Sequence, residues 1–141
     1  MQKLPKLCEK FIYEWFNRNK SVACERFSDT GDTFQGRGVG VVLSSKPSDF
    51  IVVDSGYTFF AEVKSTNNAR GVTTSLFEQQ RVKRDKFLKA GASYSYFVFS
   101  TVRNAWYTIP ANVIVENANR TWDELSMYKN FTLTDRWRTD V

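Results

Sequence analysis

The sequence has no histidine, only two cysteines and three prolines among its 141 residues, and no long apolar run. Without histidine there is no Ser-His-Asp or Cys-His nucleophile, and a zinc site built from Cys and His is out of reach. Cys8 and Cys24 are too few for a disulfide framework and read as two reduced thiols. No segment approaches the roughly 18 consecutive apolar residues of a membrane helix, and the first residues carry no signal-peptide pattern. A cytoplasmic protein with no membrane partner is therefore expected. Chemistry, if there is any, must use carboxylates, lysine, tyrosine, amides or a hard metal ion held by oxygen.

What is present is a globular composition, 42% hydrophobic and 16% aromatic, in a chain long enough to build one core. No repeat, low-complexity tract or linker divides it, so a single domain over residues 1–141 is expected. Twenty Lys and Arg oppose fifteen Asp and Glu, and the net charge of +5 suggests a polyanionic partner, most simply nucleic acid.

The pattern along the chain alternates helix and strand. "LPKLCEKFIYEWFNRNK" places Leu7, Cys8, Phe11, Ile12, Trp15 and Phe16 at helical spacing after Pro5. Residues 21–38 read as a short strand and a Gly/Asp/Ser-rich loop, and "VGVVLSS" at 39–45 reads as a strand. Strands follow at 49–54 and 57–64, then a polar loop at 67–74. "SLFEQQRVKRDKFLKAG" predicts one helix, opened by a Ser75–Glu78 capping box and closed at Gly91. "SYSYFVFS" and "AWYTI" predict two more strands, Pro110 starts a short helix, and Thr121 with Glu124 forms a second capping-box pattern. Helix, three strands, helix and two strands predict an α/β protein with a mixed sheet and helices on its faces.

Within "SDFIVVDSGYTFFAEVKST", Ser55-Gly56 suits a two-residue turn. The register then sets Asp49 opposite Glu62 and puts Asp49, Ile51, Val53, Phe60, Glu62 and Lys64 on one face. Opposed carboxylates lie roughly 4.5–5.5 Å apart at Cβ and repel, so the pair needs counter-charge. Lys64 supplies part, and Mg²⁺, which takes one or two carboxylates and bridges to phosphates, would supply the rest. The alternative is that Asp49 ends its strand in solvent and Glu62 pairs only with Lys64.

"PSD" at 47–49 and "EVK" at 62–64 resemble the two-part motif of the PD-(D/E)xK nuclease superfamily. Over roughly residues 5–115 the chain looks most like Holliday-junction resolvases of the archaeal Hjc and bacterial or phage RecU type. That resemblance implies a restriction-endonuclease-like fold, a central mixed β-sheet flanked by helices with an α-β-β-β-α-β core. It implies a Mg²⁺-dependent endodeoxyribonuclease, with Mn²⁺ as a substitute, acting on branched DNA as a homodimer. Asp49 and Glu62 would hold the metal with the backbone carbonyl of Val63, and Lys64 would be the catalytic lysine. A further glutamate on the first helix is Glu9 or Glu14, with its early position favouring Glu9. A glutamine in the following helix is Gln80 in preference to Gln79. A compact resolvase of this kind suits a phage, archaeal or bacterial genome.

Lys46, Arg70, Arg81, Lys83, Arg84, Lys86 and Lys89 flank this motif and form a candidate phosphate-tracking surface. Trp106, Trp122 and Trp137 could stack on bases, but core or interface packing is the stronger expectation. The tail "TLTDRWRTDV" is a candidate dimer contact. Two other readings remain: a restriction-like, homing or DNA-end-processing nuclease of the same fold, and a nucleic-acid-binding module with a vestigial motif.

Overall fold

The structure is a computed structural model and describes residues 3–28 and 46–141. Helix α1 (Leu4–Asn17) starts on a proline in its first turn and buries Cys8, Phe11, Ile12 and Phe16 along one stripe. Asn17 clamps its end to the next strand. Its amide nitrogen donates to the Cys24 carbonyl and its amide oxygen accepts from the Cys24 N–H, both at 3.3 Å.

Strand β1 (Val22–Arg26) pairs antiparallel with β2 (Phe50–Asp54), which pairs antiparallel with β3 (Tyr57–Thr66). The strand expected at 39–45 lies outside the described residues. Ser55 and Gly56 both have positive φ, 51° and 86°, as a two-residue turn that follows the strand twist requires. Phe50 accordingly faces Ala61 and Asp54 faces Tyr57, the register anticipated from the turn.

The segment from 67 to 92 departs from expectation in two places. The loop read at 67–74 contains a two-residue strand, β4 (Gly71–Val72). The single helix read from Ser75 to Gly91 is broken: a 3-10 turn covers Thr74–Phe77, and helix α2 (Arg81–Lys89) begins only after Gln80, which sits at φ 62°. The proposed capping residues have other partners. Ser75 Oγ is 3.0 Å from Thr73 Oγ1, and the Glu78 carboxylate is 3.3 Å from Arg81, so nothing caps a helix at Ser75. The end at Gly91 is as anticipated. Gly91 has φ 99°, its N–H bonds the Leu88 carbonyl, and the Ala92 N–H bonds that of Phe87, a Schellman closure.

Strand β5 (Tyr94–Ser100) runs parallel to β3, and β6 (Ala105–Pro110) returns antiparallel to β5. Helix α3 (Ala111–Glu116) follows Pro110, β7 (Arg120–Thr121) pairs with β4, and β8 (Lys129–Asn130) joins β6. Helix α4 (Phe131–Asp140) closes the chain, capped by Asn130, whose side-chain oxygen accepts from the Leu133 N–H. The main sheet has the order β1-β2-β3-β5-β6-β8, and β3 with β5 is its one parallel pair among the described residues.

Alternation sorts the strand residues between two cores. On one face α1 and α4 cover Phe50, Val52, Ala61, Val63, Phe97, Phe99 and Trp106. On the other, α3, Phe77, Trp122 and Leu125 cover Tyr94, Tyr96, Val98, Tyr107 and Ile109. The three tryptophans considered for base stacking belong to these cores: Trp106 and Trp137 pack with Phe11 and Phe99, and Trp122 stacks on Tyr107. The C-terminal tail likewise buries Leu133, Thr134 and Trp137 against its own sheet.

Candidate active site

Glu62 and Lys64 belong to the face of β3 that carries Phe60, and Asp49 enters β2 one residue before the Phe50–Ala61 pair. Asp49 and Glu62 therefore oppose each other, and both are buried, at 7% and 3% exposure. Two isolated carboxylates could not be buried this way without partners. Asp49 Oδ2 accepts from the Val63 N–H at 2.8 Å, and Asp49 Oδ1 lies 3.1 Å from Lys46 Nζ. Glu62 Oε2 lies 3.3 Å from Lys64 Nζ. Glu62 Oε1 is buried with no hydrogen-bond partner among the described residues.

The segment leading into β2 is fixed by its own bonds. Tyr94 Oη donates to the Pro47 carbonyl at 2.7 Å, and the buried Ser48 hydroxyl donates to the Phe50 carbonyl at 2.8 Å. Tyr94 is neutral here, because burial and then the nearby Glu62 push its phenol pKa up.

Lys46, Asp49, Glu62, Val63 and Lys64 line a cleft of about 350 Å³ together with Pro5, Lys6, Glu9, Ser65, Gln79 and Gln80. Glu9 reaches it from α1, on the opposite side of the sheet, held by Lys6 at 3.8 Å and Arg26 at 3.7 Å. Glu14, the alternative, is exposed and pairs with Lys10. Both glutamines line the cleft, but only Gln80 has a buried amide oxygen, which is unpartnered among the described residues.

The electrostatics follow from crowding. Burial, and after it the Asp49 carboxylate, raises the Glu62 pKa to about 8, and Lys64 offsets this only in part. Burial and Asp49 also raise Glu9, against the pull of Lys6 and Arg26. Two acids crowding a third want either a shared proton or a cation between them. The cysteines take no part: burial pushes both thiols up to about 12.

Among the described residues no three His, Cys, Asp or Glu side chains form a metal cage. The available donors are oxygens: two opposed carboxylates, one with an unsatisfied buried atom, and a strand carbonyl. In an extended strand the N–H and C=O of one residue point to the same edge, so the Val63 carbonyl faces the side on which its N–H meets Asp49. Two carboxylates and a carbonyl suit Mg²⁺, which keeps several waters, better than a metal needing a full protein cage.

The basic residues divide. Arg84 requires a correction: it is 4% exposed, donates to Tyr96 Oη at 3.0 Å and pairs with Asp85 at 2.9 Å, so it cannot meet a DNA backbone. Its place on the inner side of α2, before Phe87 and Leu88, was the signal. Lys46 lies in the cleft itself. Arg70, Arg81 and Lys86 are exposed and Lys83 half-buried, with Arg81 paired to Glu78. Sequence reasoning missed Lys6, three residues before Glu9 and so on the same side of α1.

No protein-family model matches the chain, and no curated protein matches it in sequence. Among solved structures it is similar to Archaeoglobus fulgidus Hjc, a Holliday junction resolvase from an archaeal hyperthermophile. The TM-score is 0.58 at 13% identity, over 92% of this chain and 96% of that one. The fold is the restriction-endonuclease-like one, a central mixed sheet flanked by helices.

Proposed function

We propose that this chain is a metal-dependent DNA endonuclease that hydrolyses phosphodiesters in branched DNA, as a Holliday-junction resolvase does. One observation carries the reading: Asp49 and Glu62 oppose each other across β2 and β3, with Lys64 two residues on, in a fold shared with a resolvase. Asp49 and Glu62, with the Val63 carbonyl, hold Mg²⁺, for which Mn²⁺ substitutes. When bound, the metal supplies an acidified water and screens charge on the phosphate. Lys64 orients the attacking water and neutralises negative charge that grows on the phosphoryl oxygens. Glu9 faces the same cleft from α1 and would accept hydrogen bonds from metal-bound water, and the Gln80 amide would hydrogen-bond the substrate. Arg70, Arg81, Lys83 and Lys86 hold the DNA backbone without reading bases. Two cuts across a junction need two such clefts, hence a homodimer.

The test is incubation with a synthetic four-way junction and Mg²⁺. Wild type should nick it, and Asp49→Ala and Lys64→Ala should each lose roughly 10²- to 10³-fold in rate. Unchanged nicking by both variants would remove the site from the reaction. Cleavage of linear duplex as fast as the junction would reassign the substrate to duplex DNA.

A further inference from the structure

Two ammoniums sit on the carboxylates proposed to hold the metal, and the chemistry above uses only one of them. Each buried carboxylate has its own lysine: Lys46 lies 3.1 Å from Asp49 and Lys64 3.3 Å from Glu62, with both lysine side chains about equally covered, 15% and 14% exposed. The two come from different elements. Lys64 stands on β3 between two paired neighbours, whereas Lys46 belongs to the segment entering β2 and is tied to the site through its side chain.

The local charges explain why this matters. A divalent cation on Asp49 would sit beside the Lys46 ammonium, and like charges repel strongly where water is scarce. The repulsion is relieved if one ammonium leaves its carboxylate and meets incoming negative charge. Lys46 is the one placed to leave, because its segment precedes β2, whereas Lys64 belongs to β3 between strand-paired neighbours.

The geometry points to Lys46 as a resident counter-ion for Asp49 that a divalent cation displaces, releasing the ammonium to a non-bridging oxygen of the same phosphodiester. This rests on the metal-dependent reading above. It makes Lys46 a gate as well as a phosphate contact: metal binding to the empty cleft is weakened by Lys46, and substrate restores it by giving Lys46 a new partner. By reciprocity, metal strengthens the hold on DNA by the same factor.

Isothermal titration with Mn²⁺ in the absence of DNA tests this on wild type, Lys46→Met and Lys46→Arg, with thermal unfolding followed in parallel. Lys46→Met should bind Mn²⁺ at least about fivefold tighter than wild type, while single-turnover junction cleavage at saturating Mn²⁺ falls at least about tenfold. Lys46→Arg should keep the weaker Mn²⁺ binding. Should Lys46→Met not fold, Lys46→Gln carries the same comparison. Equal or weaker Mn²⁺ binding by a folded Met or Gln variant would overturn the counter-ion role and leave Lys46 a structural tie. No Mn²⁺ binding by wild type and by the folded Met or Gln variant alike would instead overturn the metal site itself, and the proposal with it.

Discussion

Two sets of charges flank Gln80, which lines the cleft and immediately precedes α2, and they behave oppositely. In the cleft, Asp49 and Glu62 are buried and held by Lys46 and Lys64 at 3.1 and 3.3 Å. On α2, Arg81 and Lys86 are exposed, and Lys86 has no carboxylate within ion-pair distance among the described residues. Exposed cations cost the fold little and gain it little. Buried ones perturb one another and must be over-determined by their surroundings. A cleft built of costly charges is where chemistry is to be sought, and the exposed face is where a polyanion can lie.

The sharpest way to break this comparison is to remove the cost. Burial and Asp49 hold Glu62 at about 8, above its ordinary 4.5, so the folded metal-free chain keeps a proton that the unfolded chain has released. The stability this proton confers is full below about pH 4.5 and is lost as pH rises through about 8. Glu62→Gln, of the same shape and without charge, should abolish that slope. At about pH 8.5 it should leave the chelator-treated protein more stable than wild type by a few kcal/mol. Urea unfolding across this range measures it. A variant with the wild-type slope would mean that Glu62 is not the strained group.

A smaller effect separates two arginines three residues apart. Arg84→Ala removes a buried cation and leaves the Tyr96 hydroxyl without its partner, so it should cost about 2 kcal/mol or more. Arg81→Ala loses an exposed pair with Glu78 and should cost under about 0.5 kcal/mol. Urea midpoints of the two variants measure the contrast. Equal costs would place Arg84 outside the core.

That pair also shows what a sequence conveys and what it withholds. The β2–β3 hairpin was readable because everything specifying it is local: Ser55-Gly56 set the turn, the turn set the register, and period-two alternation did the rest. The capping-box pattern was less informative. It occurs at Ser75–Glu78 and at Thr121–Glu124, and only the second makes its reciprocal bonds, at 3.0 and 3.1 Å, and there on a turn. Whether such a pattern is used depends on what competes for its side chains, and at Ser75 the competitors are Thr73 and Arg81. Long-range partners were harder still. The pairing of β4 with β7 joins residues about fifty positions apart, and Arg84 finds Tyr96 on another element. In the candidate site, the opposition of Asp49 and Glu62 followed from the turn, whereas the Lys46–Asp49 contact needed coordinates, since an i,i+3 spacing outside a helix implies no contact.

The smallest effect tests whether the exposed half of the comparison touches substrate at all. Lys86 has no ion-pair partner to lose among the described residues, so Lys86→Ala should leave stability and single-turnover rate unchanged. If its ammonium neutralises a phosphate, junction affinity should fall a few-fold and the dependence of log affinity on log salt should lose about 0.9 in slope. Fluorescence anisotropy between roughly 50 and 200 mM salt resolves a change of that size. An unaltered slope would take the DNA off α2. Lys6 and Arg26 are exposed and flank Glu9 on the opposite side of the sheet, so the backbone would then cross α1 instead and approach the carboxylates from Glu9.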